Sequence, residues 1–120
     1  MPTEPLVIEK YEGPIPGHGV LRLKGPLVAE NVPPFQNAVR GDDTDTMIVD
    51  LTHVPYVDSA GLGSLVAAYV SRNKAGQRVA FAGLNPRVLK LFEVTRVEPL
   101  FLIFPTLADA VTGMSTAAEA

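Results

Sequence analysis

A chain of 120 residues, 47% of them hydrophobic and none of them cysteine, suits one compact domain with a single core and excludes disulfides and thiolate metal sites. A formal net charge of −3, with no dense run of Lys or Arg, argues against a nucleic-acid surface and favours a protein partner. No apolar stretch approaches the roughly 20 residues of a membrane span, and no basic segment followed by an apolar core opens the chain, so no membrane contact and a cytoplasmic location are expected.

Leu6–Tyr11 and Val20–Lys24 read as two strands, the second with period-two alternation, and the Gly/Pro-rich 13–19 between them makes a hairpin. From Gly25 to Gly41 the prolines dominate. Any helix there starts near Pro34 and covers Phe35–Arg40.

Met47–Leu51 reads as a short buried strand, and Thr52–Val57, with Pro55 inside, as the connection leaving its carboxyl end. Leu62, Leu65, Val66, Tyr69 and Val70 then recur at helical spacing, predicting a helix that opens near Ser59, ends near 73–76 and packs on the sheet. Arg72, Lys74 and Arg78 around its end read as a solvated basic cluster beside the negative end of the helix dipole.

Arg78–Ala82 is a further strand. Asn85-Pro86 is a cap and first-turn pair for a helix through about Phe92, with Val88, Leu89 and Phe92 buried. Leu100–Phe104 is a last apolar strand broken by Pro105, after which Thr106 caps a closing helix with Leu107, Ala110 and Val111. Phe92, Phe101 and Phe104 are core candidates. A hairpin followed by strand–helix units predicts an α/β fold, a mixed sheet with helices packed largely on one side. One domain spans 1–120, its core about 5–112, with 113–120 a loose tail.

The run Val57-Asp58-Ser59-Ala60-Gly61-Leu62-Gly63 carries the functional argument, because it leaves a strand and opens a helix. Asp58 or Ser59 caps that helix, where unpaired N–H groups meet the positive end of the macrodipole. His53, Asp58 and Ser59 supply the residue types of a hydrolytic triad, but a nucleophile elbow needs Gly two residues before the Ser, and Val57 stands there. Gly61-Leu62-Gly63-Ser64 lacks the Lys of a phosphate-binding loop. His18 and His53 have no partner at metal-ligand spacing and read as ordinary loop histidines, so neither an enzyme nor a cofactor or metal site is expected.

The order of elements, with Val49-Asp50-Leu51, the hexapeptide Asp58–Gly63, Leu84-Asn85-Pro86 and Leu91-Phe92, resembles the STAS domain family, in particular the bacterial anti-sigma factor antagonists. The resemblance implies partner switching. The unphosphorylated chain would bind an anti-sigma factor that is also an ATP-dependent serine kinase, freeing the sigma factor. Phosphorylation at Ser59 would release it, and a PPM-type serine phosphatase would reset it. The implied partner surface comprises Asp58, Ser59, Ala60, Gly61 and Leu62 with Gly25 and Leu27, and Gly25-Pro26-Leu27-Val28 departs from the acidic residue that family antagonists often carry there. The alternative is a STAS scaffold subunit of a sensor or transport assembly in which Ser59 is only a helix cap.

Overall fold

The computed structural model describes residues 4–119, with side chains for 4–115. Five strands alternate with four helices: β1 (Val7–Glu12), β2 (His18–Lys24), α1 (Val32–Arg40), β3 (Thr46–His53), α2 (Ser59–Lys74), β4 (Arg78–Ala82), α3 (Pro86–Val94), β5 (Leu102–Phe104) and α4 (Leu107–Glu119). The strands lie in chain order, β1-β2-β3-β4-β5. β1 and β2 form the expected antiparallel hairpin, Val7 opposite Lys24 and Glu12 opposite Gly19, and every later pair is parallel.

Period-two alternation divides the core between the two faces of the sheet. Leu21 and Leu23 of β2, Met47, Val49 and Leu51 of β3, and Val79 and Phe81 of β4 meet Phe35 and Val39 of α1, Leu62, Leu65 and Ala68 of α2, and Val88 and Phe92 of α3. Ile48, Ala80 and Ala82 point the other way and meet Ala110 and Met114 of α4. Among the described residues, three helices therefore cover one face and α4 alone covers the other, where the small Ala80 and Ala82 let it approach. Phe81, Phe92 and Phe101 form an edge-and-tilt cluster with centroids 4.7, 5.5 and 6.5 Å apart. Emptying such a site by Phe→Ala costs about 3–5 kcal/mol.

Several elements depart from the sequence reading. β3 runs two residues further, to His53. α1 begins at Val32 after a 3-10 turn at Ala29–Asn31, because Pro33 and Pro34 fit a first turn whose N–H groups need no intrahelical partner. The expected fifth strand is divided: Glu98–Leu100 is a 3-10 turn and only Leu102–Phe104 pairs. α4 passes the expected core boundary at 112, and Met114 is fully buried, so the core extends at least to that residue. The rest of the expected tail, from 116, lies outside the described side chains.

On α2 the buried face is rotated toward α1. Gly61, Leu62, Ser64, Leu65, Ala68 and Arg72 are buried, whereas Val70 is 41% exposed. On α3, Leu91 rather than Leu89 joins Val88 and Phe92 against the core. Arg72 is not solvated: it is 2% exposed, with Nη1 3.5 Å from Asp42 Oδ1, Nη2 donating to Thr44 O at 2.7 Å and Nε to Arg78 O at 3.0 Å. The α1–β3 connection closes over it and satisfies the guanidinium. His18, expected in a loop, begins β2 at 7% exposure.

Candidate functional site

The site lies at the carboxyl ends of the parallel strands β2, β3 and β4, where the three connections to the following helices converge, as is usual for ligand and partner sites of α/β sheets. The connections after β2 and β3 are tied together by backbone. Gly25 N donates to His53 O at 3.0 Å, Leu27 N to Tyr56 O at 3.2 Å, and Asp58 N to Leu27 O at 3.2 Å, so Leu27 and Val57 pair as a one-residue parallel bridge. Gly25 sits at φ +115°, a conformation only glycine takes without strain, and a Cβ there would lie 2.6 Å from Pro5 O.

That bridge sets the start of α2. Asp58 is the N-cap: its Oδ1 accepts from Gly61 N at 2.8 Å. Its Oδ2 accepts from Ala29 N at 3.1 Å, so one carboxylate fixes both the helix start and the loop after β2. Ser59 is thereby left as the first helical residue, exposed, and its hydroxyl has no hydrogen-bond partner among the described residues. The reading of Ser59 as a mere cap does not hold, because Asp58 occupies that role.

Gly61 lies flat on the Leu27 peptide. A Cβ on Gly61 would stand 2.0 Å from Leu27 O and 2.8 Å from Leu27 C, closer than any real contact. The structure thus brings Gly25, Leu27 and 58–62 to one end of the sheet but assigns them different parts. Leu27, Gly61 and Leu62 are buried and hold the surface in shape; Ser59 and Ala60 are exposed, and Asp58 and Gly25 are half-buried.

Three residues at this end were not singled out as site residues from sequence. Asn85 was legible as the α3 cap, and its Oδ1 accepts from Val88 N at 2.8 Å. Its Nδ2 also donates to Val54 O at 3.2 Å and Pro55 O at 3.1 Å, clamping α3 to the β3–α2 connection. Tyr56 is exposed, and the Arg87 guanidinium lies 5.1 Å from its ring centroid. No sequence signal links those two, since the clamp that brings them together is tertiary. His53 ends β3 on the surface and makes no hydrogen bond to Ser59 among the described residues, so no activated hydroxyl is assembled.

Chemically, this is a surface hydroxyl at the positive end of a 16-residue helix. A phosphate on Ser59 Oγ would meet the N-terminal dipole favourably and add about −1.5 to −2 charges beside Asp58 without entering the core. Among the described residues, no helix is long and apolar enough to cross a membrane.

The model of the STAS domain family matches residues 9–110. The chain is 38% identical over 55 residues to the anti-sigma-B factor antagonist of Listeria monocytogenes, a match covering 46% of this chain and 48%, about half, of that relative. It is 30% identical over 83 residues to the anti-sigma-B factor antagonist of Staphylococcus aureus, covering 67% of this chain and 77% of that one. The fold superposes on an anti-sigma factor antagonist from Mycobacterium paratuberculosis with a TM-score of 0.80 at 22% identity, over 90% of this chain and 92% of the other. By the extent of these matches and by the sheet and helices described above, the chain belongs to the STAS domain family.

Proposed function

We propose that this chain is an anti-sigma factor antagonist that works by partner switching, with Ser59 as the switch. The observation that carries the reading is the division of labour at the start of α2. Asp58 does the capping, so Ser59 is exposed and without a hydrogen-bond partner among the described residues, at a helix N-terminus where a phosphate is well tolerated. The named relatives, both anti-sigma-B factor antagonists, support the same role.

The unmodified chain binds an anti-sigma factor through the surface around Ser59 and Ala60, framed by Asp58 and Gly25, and so frees the sigma factor. That anti-sigma factor is also an ATP-dependent serine kinase, and it phosphorylates Ser59. The phosphate then opposes rebinding, because an unmatched dianion must be desolvated in the interface. A loss of about 3 kcal/mol weakens association more than a hundredfold. A PPM-type serine phosphatase restores the binding form.

Incubation with ATP and the cognate kinase, followed by intact-mass and peptide mapping, tests the reading. It requires a single added phosphate on Ser59 and none on Ser59→Ala. Modification elsewhere, or none, overturns it.

A further inference from the structure

A cavity of about 130 Å³ lies between α1 and α2, away from the Ser59 surface. It exists because α2 presents small residues to α1. Ser64 and Ala68, both buried, face Phe35 and Val39 of α1, and the space a longer side chain would fill stays open. Gln36 and Arg40 of α1 and Ala67 and Ser71 of α2 complete its lining.

Size and charge define what fits. The cavity is a groove open on one side, and its volume is close to the about 150 Å³ that holds a six-carbon ring when enclosed, so it admits a short hydrocarbon chain whose end stays at the surface. The inner wall here is apolar apart from Ser64, whose hydroxyl is already donated to Gly61 O at 2.6 Å. At the exposed side stands Arg40, which forms no ion pair among the described residues. An apolar groove lined in part by an exposed Arg40 with no ion pair among the described residues matches a small amphipathic anion, its hydrocarbon inside and its carboxylate within reach of that side chain.

We infer that the α1–α2 cavity is a binding site for a small monocarboxylate with a hydrocarbon body of about five or six carbons. The site is independent of Ser59 modification, but it is joined to the same helix start. Ser64 bonds to the carbonyl of Gly61, the residue seated on Leu27. Occupancy therefore registers at the amide signals of α2 from its first turn to Ser71.

The test is an NMR titration of the full chain with hexanoate, with acetate and 1-hexanol as controls. Hexanoate gives saturable shifts at Ser64, Ala68 and Val39, with a dissociation constant on the order of 1 mM. Acetate gives none there, and 1-hexanol binds about tenfold more weakly. Ala67, exposed on the cavity lining, is the position for a plug. Ala67→Phe fills the mouth from the surface without entering the core, and it abolishes the hexanoate shifts while leaving the rest of the spectrum folded. Arg40→Gln weakens hexanoate to the level of 1-hexanol. The proposal fails if acetate shifts the same amides as hexanoate, if shifts grow linearly without saturation, or if folded Ala67→Phe binds hexanoate as the wild type does.

Discussion

Gly61 and Leu27 touch through backbone alone: the α carbon of one lies against the carbonyl of the other, where a methyl group would come within 2.0 Å of the oxygen. The oxygen of Leu27 also accepts from Asp58 N, so the contact and the bridge that opens α2 stand or fall together.

Gly61→Ala should therefore destabilise the fold although Ala is the better helix former. Relieving the overlap moves α2 off the Leu27 peptide, and overpacking of this kind costs about 1–3 kcal/mol. Gly63 is the control. It is exposed on the same helix with nothing within 4 Å of a Cβ, so Gly63→Ala should be neutral or stabilising by up to about 1 kcal/mol. Urea unfolding of both variants measures the difference, and equal midpoints would remove the close-approach argument.

Asp58 and its neighbour Ser59 should separate in the same assay. Asp58→Ala removes a cap and the tie to Ala29 N together and should cost about 1–2 kcal/mol. Ser59→Ala removes an exposed, unbonded hydroxyl and should change stability by less than about 0.5 kcal/mol. A large loss on Ser59→Ala would return Ser59 to a structural role.

Arg72 and Asp42 form a pair in which both side chains are 2% exposed. Burial alone pushes the Asp42 carboxyl up. Hydrogen bonds from the side chain and backbone of Thr44, with Lys10 and Arg72 nearby, outweigh burial and hold it below its ordinary value. Its contribution is thus present at neutral pH and is lost as pH falls through the lowered native value, below about 4. Arg72→Ala, which strands the carboxylate, should cost about 3–5 kcal/mol at pH 7, and Arg72→Ala with Asp42→Asn should recover part of it. Thermal melts of the single and double variants decide; strict additivity would mean the pair is uncoupled.

His18 acts in the same sense, in a higher pH window. Burial first, and then the charge of Arg78, push it below the ordinary 6.5 against the pull of Asp45, and its Nδ1 has no hydrogen-bond partner among the described residues. The unfolded chain then binds the proton more readily than the native one, so stability is full above about pH 6.5 and falls as pH drops through that value. Replacing His18 by Gln should flatten unfolding free energy between pH 7 and 5.5. An unchanged slope would assign the dependence to another group.

Much of this architecture was legible because it rests on local rules. Val57–Gly63 announced a strand-to-helix transition, Asn85-Pro86 a cap, and Val20–Lys24 an alternating strand, and each stands where its pattern placed it. Where the reading failed, a tertiary partner decided. The α2 stripe was drawn through the large Val70, but α1 covers the small Ser64 and Ala68 instead. Arg72 reads as a surface cation until the α1–β3 connection folds over it. Asp58 and Ser59 were equal candidates for the cap; Ala29 N, 29 residues away, supplies a second donor that Asp58 binds with its other oxygen. The pairing of Tyr56 with Arg87 depends on Asn85 clamping two connections, which no spacing reveals.

The central claim is that one phosphate on Ser59 changes partner affinity and little else. Titration calorimetry of the cognate anti-sigma kinase with the unmodified chain and with the chain carrying phosphoserine at 59, at matched thermal stability, measures this directly. The account predicts tight binding by the first and at least a hundredfold weaker binding by the second, with melting temperatures that agree closely. Equal affinities for two equally folded forms would contradict it.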